Sequence, residues 1–282
     1  MEDAGQAGSL EDRAARALVA LVDAARLGGE TALEYFRPGE RTRADVAYKA
    51  GDSPVTAADL AVDRQLAQIL RAAFPDAGWL SEETEDDPDR LGRAQALVLD
   101  PIDGTRAFMS GDPIWGVSIA LVEHGEPIAG VLHAPALGET YAASKGRGAT
   151  LNGAPIRAAR FATLEGARVG GPKATVAAFA EALGFQPQPG PRMRSLAYRL
   201  CSVAAGRLDI ALAAADSHDW DIAAADLILR EAGAGLREGE AGLHKGGAVI
   251  SYNTARIRHD PLLAAPLEWL PRLAGALPGR RA

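Results

Sequence analysis

Residues able to do chemistry gather in a few short segments. In Leu97-Val98-Leu99-Asp100-Pro101-Ile102-Asp103-Gly104-Thr105 an apolar strand delivers two carboxylates, and a Gly-Thr pair then opens a helical turn. Carboxylates at such a strand end can converge on a hard divalent cation, while the Gly104 and Thr105 amides are free to take a phosphate oxygen. The same residues admit a plainer reading in which Asp103 caps the following helix and Asp100 ends a strand. Upstream, Glu82 and Glu83 follow the short strand Trp79-Leu80-Ser81, so Glu82 can point inward. Glu85, Asp86, Asp87 and Asp89 surround Pro88 in turn-like sequence and read as solvated. Downstream, Ser217-His218-Asp219-Trp220-Asp221 precedes an apolar helical run closed by Gly233, with Asp219 as N-cap candidate and Asp221 in the first turn. His218 and Trp220 read as packing residues.

The elements that must position these acids follow from periodicity. Leu10, Ala14, Ala17, Leu18, Leu21, Val22, Ala25, Leu33 and Phe36 recur at helical steps, so a long amphipathic helix ends before Arg37-Pro38-Gly39. A second helix is expected from Ser53-Pro54-Val55-Thr56 to Phe74-Pro75, with Leu60, Val62, Leu66, Ile69 and Leu70 on its apolar face. Runs near 79–81, 96–99, 115–122, 128–132 and 139–143 read as strands of an antiparallel sheet. Beyond about residue 165 the texture turns α/β, with a short apolar run near Arg168-Val169, helices near 173–183, 195–205 and 220–233 and strands near 208–213 and 247–251. The segment 184–191, rich in Pro and Gly, is too short for an interdomain tether. No period of repeat length recurs.

Composition excludes several classes. Hydrophobic residues make up 48% and charged residues 24%, which removes disorder as a global description. With Lys plus Arg at 30 against 37 Asp plus Glu, no general basic field exists to hold a nucleic-acid polymer or an anionic membrane. Cys201, the single cysteine, cannot form an internal disulfide, and closely spaced Cys/His zinc patterns are absent. Glycines 233, 235 and 239 do not make a dinucleotide fingerprint. The first residues are acidic and small where a secretory signal would be basic and then apolar, and no apolar run reaches membrane-spanning length, so a cytoplasmic protein is expected.

Taken together, Asp100-Pro101-Ile102-Asp103-Gly104-Thr105, Glu82-Glu83 and Trp220-Asp221 with the following helix resemble the inositol monophosphatase family of magnesium-dependent, lithium-sensitive phosphatases. Pro54-Val55-Thr56-Ala57-Ala58-Asp59 resembles the family's helix-opening motif, and 146–153 its hairpin before the second half. The resemblance implies a layered α+β and α/β sandwich of alternating helices and sheets. Residues 1–165 would carry the antiparallel sheet and most metal ligands, and 166–282 would be an α/β region supplying Asp221, both within one compact unit. It implies two or three Mg²⁺ ions held by Glu82, Asp100, Asp103, Asp221 and the Ile102 carbonyl, with Asp100 bridging. Thr105 and Asp59 would orient and help deprotonate the attacking water, with Glu83 an acid behind the metals. Gly104, Thr105, Asp103 and Asp221 would face the substrate.

The implied reaction is hydrolysis of a small phosphate monoester by in-line attack of metal-activated water, without a phosphoenzyme. Homodimerisation, lithium inhibition and competition by calcium are further implications of the resemblance. The family's substrates include inositol monophosphates, adenosine 3′,5′-bisphosphate, fructose 1,6-bisphosphate and histidinol phosphate. Ala211 to Ala215 lack the acid that contacts inositol in the inositol phosphatases, and only Asp216 lies nearby. The wording from Ser217 to Leu229 is closer to bacterial 3′(2′),5′-bisphosphate nucleotidases, which makes adenosine 3′,5′-bisphosphate the leading expectation. Lys173, Arg192, Arg194 and Arg199 are candidates to line a second-phosphate pocket, although most read as ordinary surface charges; Lys49, ahead of the motif helix, is placed to sit close to the metal cluster or, more plainly, to be an exposed loop lysine. Inositol phosphate, then histidinol phosphate or fructose 1,6-bisphosphate, and a non-catalytic regulator binding a phosphorylated ligand are the alternatives.

Overall fold

Ser9 opens the first helix, α1 (Leu10–Tyr35), by accepting from the Asp12 amide at 3.2 Å. The computed structural model describes residues 9–49, 54–239 and 250–277. The buried face of α1 is mostly small, with Ala14, Ala17, Ala24, Ala25, Gly28 and Ala32 beside Leu21. That face admits close packing of α2 (Ala57–Ala73): a β-carbon placed on Gly28 would lie 3.1 Å from Val62 Cγ1. The helix expected to start near Ser53-Pro54-Val55-Thr56 is capped by the last of these residues, and Pro54 does not lie in its first turn. Pro54–Thr56 forms strand β2, antiparallel to β1 (Val46–Tyr48), and α2 begins behind Thr56. Thr56 and Asp59 close a capping box, which outweighs the preference of Pro for a first turn. Leu60, expected on the apolar face, is exposed.

A seven-stranded sheet follows in strict chain order. Its strands are β3 (Gly78–Ser81), β4 (Gln95–Asp103), β5 (Gly116–Glu123), β6 (Glu126–Ala134), β7 (Glu139–Ser144), β8 (Ala149–Leu151) and β9 (Ala154–Ile156). The sheet is not wholly antiparallel as expected, because β3 and β4 pair in parallel with Trp79 opposite Leu97. The long connection between them, including a 3₁₀ turn at Pro88–Gly92, allows the crossover that a tight hairpin would not. Alternation along β4 sends Leu97 and Leu99 into the core shared with α1 and α2, and Val98 into the core on the other face.

The second sheet runs β11 (Gln188–Pro189), β10 (Arg168–Gly170), β12 (Ile210–Ala213), β14 (Leu262–Pro266), β13 (Ala234–Glu238) across its width. Helices α4 (Lys173–Leu183), α5 (Leu196–Ala204), α6 (Asp219–Glu231) and the short α7 (Leu270–Leu273) connect or flank these strands. The expected strand over 247–251 lies mainly outside the described residues, and Ile250 and Ser251 carry no strand. Strands β13 and β14 were not anticipated.

Layers alternate as helix, sheet, helix, sheet, helix. Helices α5 and α6 fill the space between the sheets, where Leu200, Ile222 and Ile228 meet Val98 and Leu132 on one side and Ala211, Leu236 and Leu262 on the other. Phe179 of α4 and Leu270 of α7 cover the outer face of the second sheet with Ile210, Leu212 and Leu263. The approach of α6 to the first sheet is tight: a β-carbon on Gly130 of β6 would sit 3.0 Å from the Ala224 Cα and carbonyl oxygen of α6. No described helix is long and apolar enough to cross a membrane.

Candidate active site

Residues three apart on a regular strand point to opposite faces, so Asp100 and Asp103 should diverge. They do not, because the β4–β5 register shifts between them: Asp100 pairs with Ser118 while Asp103 pairs with Gly116, one extra residue on β4. This bulge, at Pro101-Ile102, turns both acids to one place, where Asp221 of α6 joins them. Carboxylate oxygens of Asp100, Asp103 and Asp221 all lie within 4.8 Å of one another.

Each acid is held by a neighbour. Asp100 Oδ1 accepts from the Ile102 amide at 2.9 Å. Asp103 accepts from the Ser195 hydroxyl and from the Leu196 and Ala197 amides at 3.1 and 2.9 Å, so it caps α5 rather than the helix that follows it. The short helix α3 (Thr105–Met109) instead starts at Gly104, whose φ of 92° and 3.1 Å virtual-Cβ approach to Ser195 Cβ both require glycine. Asp221 Oδ2 accepts from the His218 amide at 2.6 Å, which makes His218, not Asp219, the N-cap of α6. Asp219 is fully buried and pairs with His259 instead. His218 stacks on Trp220 with ring centroids 4.5 Å apart, the packing role expected for both.

Glu82 lines the same cleft as the three acids but stands outside their tight cluster. Lys49 Nζ lies 3.3 Å from Glu82 Oε1 and 2.8 Å from Glu83 Oε2, so this lysine is an ion-pair partner and not an ordinary surface charge. Thr105 Oγ1 lies 3.4 Å from Asp59 Oδ1 and 3.2 Å from the Ile102 carbonyl, which brings the expected pair together. Glu85, Asp86, Asp87 and Asp89 are exposed as expected, although Asp86 also pairs with the buried Arg90.

Burial pushes the carboxyls of this region up. Asp59 rises to about 6 despite its bonds from Thr56, and Asp103 rises to about 6 despite those from Ser195, Leu196 and Ala197. Glu83 rises to about 7, with Lys49 opposing the shift. Asp100 and Asp221 are raised by burial and then by nearby acids, Glu82 and Asp103 on the first and chiefly Asp103 on the second. Buried acids that repel one another and offer only oxygen suit a hard divalent cation, which would relieve the repulsion.

The cleft, about 1640 Å³, opens from these acids toward the second sheet, and Lys173, Arg192, Arg194 and Arg199 all line it. Arg199 departs from the surface role expected of such charges. It is buried, its guanidinium gives one bond to the Met193 carbonyl at 2.8 Å and feels the Asp103 charge, and its Nε has no hydrogen-bond partner among the described residues. Asp216, in the left-handed region at φ 76°, also lines the wall. Sequence reasoning missed Ser195 and the α5 amides: a serine before an apolar run signals a helix start, but nothing local names Asp103 as its partner.

A sequence model of the inositol monophosphatase family matches residues 14–268. A histidinol-phosphatase of Chlorobaculum parvum is 41% identical over 141 residues, about half the length of each chain (50% of this one and 52% of the relative). A histidinol-phosphatase of Mycobacterium tuberculosis is 37% identical over 207 residues, 65% of this chain and 74% of the relative. Among solved structures, the extragenic suppressor protein suhB of Bartonella henselae superposes with a TM-score of 0.78 at 27% identity, covering 93% of this chain and 98% of that one.

Proposed function

The chain belongs to the inositol monophosphatase family of phosphatases, and we propose that it hydrolyses a small phosphate monoester with magnesium ions held by Asp100, Asp103, Asp221, Glu82 and the Ile102 carbonyl. The observation that carries this reading is the convergence of Asp100, Asp103 and Asp221 at the bulged end of β4 and the start of α6. When bound, the metal supplies neutralisation of phosphate charge, a lowered pKa for water and stabilisation of the leaving oxygen.

The chain's own groups supply orientation and proton movement. Thr105 Oγ1 is the hydroxyl that accepts a hydrogen bond from the attacking water while turning its own proton toward Asp59 Oδ1. Asp59, raised to about 6 by burial, is a base matched to near-neutral operation. Glu83 sits behind Glu82 and shares Lys49 with it, which keeps Glu82 facing the cleft. The amides of Gly104 and Thr105 would donate to phosphate oxygens. Water attacks phosphorus opposite the ester oxygen, the P–O ester bond breaks, and the alcohol and inorganic phosphate leave.

We infer that the alcohol part carries a second anionic group, with adenosine 3′,5′-bisphosphate as the leading substrate. Lys173, Arg192, Arg194 and Arg199 on the cleft wall support this, with the buried Arg199 bonded to the Met193 carbonyl and close enough to Asp103 to feel its charge. Histidinol phosphate is the second reading, favoured by the names of the Chlorobaculum and Mycobacterium relatives; its ammonium would meet that cationic wall. Phosphate release with Mg²⁺ from adenosine 3′,5′-bisphosphate, histidinol phosphate, inositol 1-phosphate and fructose 1,6-bisphosphate tests the choice, with Asp100→Asn as the blank. A bisphosphate preference in kcat/KM is expected. Preference for histidinol phosphate would replace the substrate assignment, and no turnover of any ester would revive a ligand-binding regulator. A cytoplasmic homodimer completes the reading, and light scattering in solution tests the dimer.

A further inference from the structure

The Asp219-Trp220-Asp221 segment places two acids on one helical turn, and only one of them reaches the cleft. At about 100° per residue the two carboxylates point roughly 200° apart around α6, so Asp219 faces the interior when Asp221 faces Asp100 and Asp103. Asp219 is 0% exposed. Burying a carboxylate there is costly unless it is paired. Its Oδ1 meets His259 Nε2 at 2.8 Å, and the Asn253 amide and the Arg90 charge also favour the carboxylate. His259, itself buried, also approaches Glu238 Oε1 of β13 at 3.6 Å.

The main chain around the pair is sewn together. Asp219 N donates to the Ile257 carbonyl at 3.0 Å, His259 N to the Ser217 carbonyl at 2.8 Å, and Asp216 N to the His259 carbonyl at 2.9 Å. His218 and Arg258 form an antiparallel bridge between the same two segments. The first turn of α6 is therefore clamped from behind by residues 257–259, and the Asp219–His259 pair is the side-chain bolt through that clamp. Asp221, two residues on, has its carboxylate held by the His218 amide at 2.6 Å, with the His218 ring nitrogen 3.9 Å away, both within the same turn.

We propose that Asp219 and His259 are positioning residues for Asp221: the pair fixes the first turn of α6 against residues 257–259, so that Asp221 stays aimed at Asp100 and Asp103. This rests on the reading of those three acids as a metal site. The pair acts through the backbone that carries Asp221, and the His259 charge also reaches the Asp221 carboxyl. A hydrogen-bonded ion pair is directional where an apolar contact is not, and a small rotation of this turn would move the Asp221 oxygens out of a site whose carboxylates meet within 4.8 Å.

The test is an Mn²⁺ titration of the full chain followed by electron paramagnetic resonance, with urea unfolding in EDTA measured on the same variants. Asp219→Ala and His259→Ala are expected to weaken Mn²⁺ binding about 10- to 100-fold, and the double variant should be no worse than either single, as for one shared interaction. Asp219→Asn keeps the shape and one acceptor, so it remains informative if Asp219→Ala fails to fold, and it should show a smaller loss in the same direction. Lower unfolding midpoints with wild-type Mn²⁺ affinity in all variants would overturn the proposal and leave the pair a fold stabiliser. Asp221→Asn separates the two readings: if it too leaves Mn²⁺ affinity unchanged, the metal assignment itself fails, whereas loss of affinity there but not at Asp219 or His259 rejects only the positioning role.

Discussion

Ser195 donates its hydroxyl proton to Asp103 and accepts from the Tyr198 amide at 3.0 Å, so one side chain both starts α5 and holds a cleft acid delivered by β4. The contact joins the strand end of the first sheet to the helix layer between the sheets. Ser195→Ala removes one of three donors to a buried carboxylate and should destabilise the metal-free protein by about 1–3 kcal/mol. Urea unfolding in EDTA measures this, and an unchanged midpoint would mean that the Leu196 and Ala197 amides suffice.

Metal binding should be visible as stability. Ligand at a hundred times its Kd adds about 2.7 kcal/mol to a protein that binds it only when folded. Thermal melts with saturating Mg²⁺ should therefore show a clear rise in Tm, and Asp100→Asn should abolish most of it. An equal rise in the variant would place the cation elsewhere.

The gain from metal should depend on pH. Burial holds Asp59 and Asp103 near 6 and Glu83 near 7, above the ordinary carboxylate value of about 4. An acid whose folded pKa is raised contributes stability that is full below its unfolded pKa and lost as pH rises through the folded one. These groups therefore stabilise the metal-free protein progressively less between about pH 4 and pH 7. Metal needs the ionised forms, so the Tm increment from Mg²⁺ should be larger at about pH 7.5 than at about pH 5. Melts in EDTA and in Mg²⁺ at both values check the sign.

Arg199 offers a test of specificity apart from chemistry. Arg199→Met should lower the ratio of kcat/KM for adenosine 3′,5′-bisphosphate over adenosine 3′-monophosphate about 10- to 100-fold, the value of a hydrogen bond to a charged group, chiefly through KM. Arg199→Lys should restore part of it, since the charge remains but the two-pronged geometry is lost. A ratio near one in the unmodified protein would remove the second anionic group from the substrate.

Much of this was legible in the chain. Periodicity located α1 and α4, and the apolar runs located β3 to β7, because each pattern is local and its period survives any tertiary context. The acids of β4 stand out for the same reason, because an apolar strand ends and carboxylates follow, whereas Asp221 in the first turn of α6 is distinguished from an ordinary helix-start acid only by the family resemblance. What stayed hidden depends on partners distant in sequence. Asp219 read as a cap because its neighbours favoured one, and only the fold reveals His259 opposite it. Arg199 is one of four candidate cleft charges in the sequence, and only the placement of α5 shows that it is buried. The parallel pairing of β3 with β4 is likewise a property of the connection's path and not of either strand.

Gly130 sets a spacing. With the Ala224 backbone where a β-carbon would go, β6 and α6 meet main chain to main chain, and the gap between these layers is gauged by a missing methyl group. Helix α6 also carries Asp221, one turn earlier, while β6 is two strands from β4 and its Asp100 and Asp103. Any larger residue at position 130 would act as a shim, lifting the helix off the sheet and widening the distance between acids that belong to different layers. The reach of one carboxylate toward two others is thus calibrated far from the cleft, by an atom the chain leaves out.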